Sequence, residues 1–107
     1  MKTNDLIIIR DKIKNARQIA LICHIRPDGD TLGSALALYN YVVNFKKCTV
    51  FCDDTLPQKY GFLKGFEKIS RGDISNEYDL IVCIDCSDLN RTGKYNFFIK
   101  NHNNVIN

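Results

Sequence analysis

Two short apolar runs, Ile19-Ala20-Leu21-Ile22-Cys23 and Leu80-Ile81-Val82-Cys83-Ile84, constrain the fold of this chain more than anything else in it. Neither alternates apolar with polar residues, so both faces of each must be covered, as in an interior strand of a parallel sheet. Parallel strands cannot be joined by a hairpin and need a crossover, usually a helix. The residues after the first run supply one. Leu32, Ala35, Leu36, Tyr39, Val42 and Val43 recur at the spacing of a single helical face, within a helix from Leu32 to Phe45. Thr49-Val50-Phe51-Cys52 then reads as the next strand, closing a strand-helix-strand unit with a right-handed crossover.

The remaining segments read as cover for such a sheet. Asp5 to Ala16 carries Leu6, Ile9 and Ile13 at helical spacing among Lys and Arg, an amphipathic opening helix laid over the sheet. Tyr60, Phe62, Leu63 and Phe66 suit a short helix packed onto the sheet, as core aromatics rather than a platform for stacking bases. Lys94 to Lys100 reads as a last helix before a terminal strand within Asn103-Asn104-Val105-Ile106-Asn107. No repeat, low-complexity tract or linker divides the chain. Its 107 residues, 45% of them hydrophobic, suffice for one core. The fold class is α/β, a Rossmann-like, mostly parallel sheet flanked by helices.

Both interior runs end in groups that do chemistry. The first leads into His24-Ile25-Arg26-Pro27-Asp28-Gly29-Asp30, where Pro27 and Gly29 enforce a turn and one imidazole and two carboxylates share a strand-to-helix loop. Mn²⁺ and Mg²⁺ prefer carboxylate oxygens, and Mn²⁺ also accepts imidazole nitrogen. His24 with Asp28 suits one ion. Asp30 can turn toward a second, and two ions about 3.5–4 Å apart clamp a phosphorus centre. The alternative is a plain turn with a helix cap. Asp85 closes the second run, and in open α/β sheets ligands collect outside the carboxyl ends of the strands. If the two strands are neighbours, Asp85 shares the edge with His24 and can bridge both ions; otherwise Asp85-Cys86-Ser87-Asp88 makes a polar turn. Asp53-Asp54 also reads as a turn. Thr31 reads as a cap of the helix after Asp30, and Ser34 as a cap or a substrate contact. Arg26 and Arg91 can meet substrate phosphate, the alternative being solvation of exposed arginines.

His24-x-x-Pro27-Asp28-x-Asp30 with Leu32-Gly33-Ser34, followed by Asp85-Cys86-Ser87-Asp88-Leu89-x-Arg91-x-Gly93, resembles the first two motifs of the DHH phosphoesterases. The segment from Leu56 to Leu63 also resembles the family between those motifs. The second motif is similar to that of the bacterial bifunctional oligoribonucleases that dephosphorylate 3′-phosphoadenosine 5′-phosphate. The resemblance implies His24 and Asp28 on a first metal, Asp30 on a second and Asp85 between them, the metal being Mn²⁺, two ions in the complete enzyme, with Mg²⁺ as a substitute. It implies hydrolysis of short RNA oligonucleotides and of that nucleotide bisphosphate, with Asp28, Asp30 and Asp85 as the catalytic carboxylates. Other members of the superfamily, manganese inorganic pyrophosphatases and single-strand exonucleases, share the first motif better than the second; a pyrophosphatase or a cyclic-dinucleotide-product phosphodiesterase is the nearer alternative, and a non-catalytic nucleotide-binding module the more distant one. The family's Asp-His-His motif and its C-terminal substrate-binding domain do not occur within residues 1–107, and His102 does not stand in for the missing pair. The expectation is therefore the N-terminal part of a DHH domain, inactive alone.

The formal charge of +3, from 15 basic and 12 acidic residues, is too small to argue for nucleic-acid affinity through bulk electrostatics. No run of about 18 apolar residues and no export pattern suggests a membrane, so a cytoplasmic location is expected. Cys83-Ile84-Asp85-Cys86 has the spacing of a redox or zinc pair, but no second pair accompanies it. Cys23, Cys48, Cys52 and Cys83 sit in apolar segments, which indicates reduced core thiols. An exposed sheet edge can pair with a second copy, which makes a homodimer possible and leaves the oligomeric state open.

Overall fold

In the computed structural model, which describes residues 3–84 and 88–107, strand β1 (Gln18–Cys23) is paired in parallel on both sides. Its partners are β2 (Lys47–Cys52) and β3 (Leu80–Ile84). A short β4 (Val105–Ile106) adds in parallel to β3, giving the order β2-β1-β3-β4. Cys23 lies opposite Cys52 on one side and Ile84 on the other, so three strands finish level at one edge.

Helices cover both faces, which explains why the interior runs do not alternate. Ile19, Leu21 and Cys23 point into one core layer with Leu32, Ala35 and Leu36 of α2 (Gly29–Val42). Ala20 and Ile22 point into the other, with Tyr95 and Ile99 of α3 (Tyr95–Lys100). All five of these β1 residues are fully buried. The expected α/β architecture is therefore present, and the described sheet is parallel throughout.

Two expectations need correction. Tyr60 to Phe66 do not lie on a single short helix: two 3₁₀ turns form instead, Gln58–Tyr60 and Phe66–Lys68, with Gly65 at φ +90° breaking the helical backbone before the second. Phe66 is buried, whereas Phe62 is 81% exposed and is no core residue. The opening helix α1 (Thr3–Asn15) reaches the core through Ile13, but Leu6 stays 55% exposed, so α1 covers less of the sheet than its periodicity suggests.

What fixes α1 is its carboxyl end. The Lys46 ammonium, just before β2, donates to the carbonyls of Ile13, Lys14 and Ala16 at 2.6, 2.8 and 2.8 Å. Those carbonyls lack intrahelical partners, and a cation also suits the negative end of the helix dipole. At the same edge the Asp79 carboxylate accepts from the Arg17 and Gln18 N–H groups, anchoring the start of β1 to the start of β3. Replacing Lys46 with Met keeps the stem but removes the donors. It is expected to cost about 1–2 kcal/mol in urea unfolding and to speed amide exchange in α1 ahead of the sheet; equal protection in both proteins would refute this capping role.

Candidate functional site

From β1 the chain passes through α2 to β2 on one side, whereas β3 pairs on the other side of β1. Connections leaving in opposite directions open a crevice at the carboxyl ends, the place where open α/β sheets bind ligands. The His24 loop emerges here from β1, and residues 88–93 lie just beyond β3. The condition that the two runs be neighbours is thus met. Asp85 itself, with Cys86 and Ser87, lies outside the described residues. A backbone bond joins the two segments directly, Ile25 N–H donating to the Arg91 carbonyl at 2.6 Å.

His24 is 7% exposed, and its ring is oriented from both sides. Nδ1 lies 2.6 Å from the Ile25 carbonyl, a contact that requires a proton on Nδ1. In the neutral imidazole Nε2 is then the lone-pair nitrogen; it faces Thr31 Oγ1 at 3.1 Å. A carbonyl on one ring nitrogen fixes the tautomer as in metal-binding histidines, while the other, the ligand nitrogen, is here taken by the Thr31 hydroxyl, which an ion would have to displace.

Asp28, not Thr31, caps α2, because its extended backbone precedes the first helical turn while Thr31 already lies within it. Asp28 Oδ1 accepts from Thr31 N–H at 2.8 Å, and Thr31 is fully buried with its hydroxyl against His24. The Thr31 backbone and side-chain bonds hold the Asp28 carboxyl below its ordinary value, with nearby His24 assisting. Capping and ligation are compatible here. The backbone cap engages Oδ1 of the carboxylate. The Thr31 N–H is thereby engaged, and the Leu32 N–H donates to the Asp28 carbonyl, so neither is available to an anion.

Asp30, Ser34, Arg26 and Arg91 are exposed at or near this loop. Among the described residues no three His, Cys, Asp or Glu side chains gather as a metal cluster. The donor set that does come together is His24 with Asp28, linked through Thr31, and its chemistry suits Mn²⁺ better than an all-oxygen ion site. His102 is engaged elsewhere, its ring nitrogens meeting the Tyr78 carbonyl and the Asn104 N–H at 2.9 and 3.0 Å. Cys23, Cys48, Cys52 and Cys83 are buried, and burial pushes the Cys48 thiol up to about 12.

Sequence reasoning missed three supports of this edge. Asp54 Oδ2 accepts from Arg26 N–H at 2.7 Å, and Arg26 has φ +54°. Asp53 Oδ2 accepts from Lys94 N–H at 2.8 Å, beside Gly93 at φ +65°. Tyr60 lies against Gly29, where a β-carbon would come within 3.0 Å of its ring. The unusual Asp-Asp pair directly after a buried strand was the available signal, but a turn explains such a pair equally well in sequence.

These features define a doubly wound α/β domain with its polar loops at the switch point. Residues 18–106 match the N-terminal domain of the DHH family, and the chain belongs to that family. The fold is similar to the crystal structure of an exopolyphosphatase-related protein from Bacteroides fragilis, with a TM-score of 0.86 and 22% identity over 96% of this chain. The match covers 33% of that protein, so the chain spans about a third of its length. Among the described residues no helix is long and apolar enough to cross a membrane.

The Lys94 N–H, then Arg71, lowers the Asp53 pKa, and the Arg26 and Thr55 N–H groups lower that of Asp54. A folded pKa below the unfolded one gives stability that is complete above the unfolded value and is lost as pH falls through the folded one. Stability is therefore expected to fall below about pH 4, with a shallower acid limb in Asp53→Asn and Asp54→Asn; unchanged limbs in urea titrations would contradict this. Gly93→Ala, whose β-carbon would lie 2.3 Å from Asp53 Oδ2, should destabilise by roughly 2 kcal/mol or more. A neutral effect in the same unfolding assay would refute the close approach.

Proposed function

We propose that the polypeptide carrying these residues is a manganese-dependent phosphoester hydrolase acting on short oligoribonucleotides and 3′-phosphoadenosine 5′-phosphate. The observation that carries the reading is the pairing of an oriented, buried His24 with the Asp28 cap at the switch point of a DHH domain. His24 and Asp28 are assigned to a first ion, Asp30 to a second and Asp85 to a bridge between them. Bound there, the ions supply Lewis acidity that activates water and neutralises phosphoryl charge.

The chain's own groups have defined tasks. The Ile25 carbonyl fixes the His24 tautomer, and Thr31 holds the imidazole and the Asp28 carboxylate in one geometry. Arg26 and Arg91, exposed on the two loops tied by the Ile25 to Arg91 bond, are assigned to substrate phosphate. Ser34 is exposed on α2, further from the loop, and is the weaker candidate for a substrate contact.

The complete polypeptide, incubated with Mn²⁺, is expected to release phosphate from 3′-phosphoadenosine 5′-phosphate and mononucleotides from short RNA. His24→Ala and Asp28→Ala should lower kcat by roughly 100-fold or more. Hydrolysis of inorganic pyrophosphate alone would replace this substrate reading with the pyrophosphatase one, and absence of all three activities would leave a binding module.

A further inference from the structure

We propose that Asp53 and Asp54 are positioning residues for the candidate site, each carboxylate holding the backbone of one of the two loops that build it. The inference rests on the reading of the His24 to Asp30 loop and the segment after β3 as that site.

Cys52 ends β2 level with Cys23, so the next two residues stand at the margin of the crevice. From there Asp54 reaches Arg26, 28 positions away, and Asp53 reaches Lys94, 41 positions away. A local turn needs only bonds of the kind Asp54 Oδ1 makes to Thr55 N–H at 2.7 Å. The long-range bonds are extra, and they are divided between the two loops.

Both grips fall where the backbone is least able to hold itself. Arg26 occupies the left-handed region without being glycine, and such a residue persists only where its surroundings over-determine it. It stands two residues after His24 and two before Asp28, so its φ sets the angle between imidazole and carboxylate. Releasing its N–H would let the pair drift apart. At the second loop, Gly93 at φ +65° leaves no β-carbon in the space that Asp53 occupies beside Lys94. Asp53 uses its other oxygen on Arg71 Nε at 3.2 Å. Both oxygens of each carboxylate are thus engaged with the protein, as a brace requires and a ligand does not.

The test uses this chain with Asp54→Ala, Asp54→Asn and Asp53→Ala, read by amide exchange at Arg26 and Lys94 and by calorimetric titration with Mn²⁺. Asp54→Ala should speed exchange at Arg26 but not at Lys94, and weaken Mn²⁺ binding by about tenfold or more. Asp54→Asn, which keeps an acceptor for Arg26, should restore most of the affinity even if its melting temperature falls. Asp53→Ala should act on the Lys94 amide. Should Asp54→Ala not fold, Asp54→Glu displaces the carboxylate at constant charge and is expected to weaken binding where Asp54→Asn does not. A wild-type chain that binds Mn²⁺ no better than Asp54→Ala and Asp53→Ala overturns the brace alone. A folded wild-type chain that binds no Mn²⁺, together with a polypeptide containing the Asp-His-His motif that binds none either, overturns the site reading beneath it.

Discussion

Strand β1 is hydrogen-bonded in parallel along both edges and covered on both faces, so no charged residue can be accommodated between Ile19 and Cys23. The chain's chemistry is displaced to where that constraint ends, at His24. Parallel pairing also makes neighbouring strands run the same way. β1, β2 and β3 therefore deliver their carboxyl ends to one edge, and residues far apart in sequence meet there without a dedicated interface. Placing β2 and β3 on opposite sides of β1 then opens the crevice between the connections.

Below that edge the domain is held by polar groups used as anchors. Lys46 closes the end of α1, Asp79 joins β1 to β3, and His102 with Asn104 ties the approach to β4 back to Tyr78 and Asp79. At the functional edge the same device recurs with a different consequence. Asp28, Asp53 and Asp54 all accept backbone N–H groups, Asp28 from Thr31 in its own helix and the pair after β2 from residues 41 and 28 positions away. The reach of a carboxylate's hydrogen bonds thus separates the local cap from the long-range supports, although all three have lowered pKa values.

The fold was legible because its signals were strong and local. The unalternating runs at Ile19 and Leu80 and the helical face from Leu32 each admit one simple arrangement. The His24 to Asp30 loop was legible as a site because a chemical constellation sat at a strand end. The supports were not, since Asp53 and Asp54 act on partners dozens of residues away and look in sequence like any acidic turn. Thr31 was misread for a related reason. Helix-start residues are nearly interchangeable on paper, and only the extended backbone of Asp28 shows which one is outside the helix. Phe62 was misplaced because aromatic spacing assumes one continuous helix, whereas the first 3₁₀ turn ends at Tyr60 and leaves Phe62 between two turns.

On this reading the loops after β1 and β3 form one cation-binding edge. Amide spectra of the ¹⁵N-labelled chain at substoichiometric Mn²⁺ address it most directly, because a paramagnetic ion broadens only the amides near it. The account requires broadening of residues 24–30 together with 88–93, while Gln18, Lys47 and Leu80 at the opposite edge stay sharp. Broadening centred on other carboxylates, such as Asp11 or Glu77, or spread evenly over the surface, would contradict it.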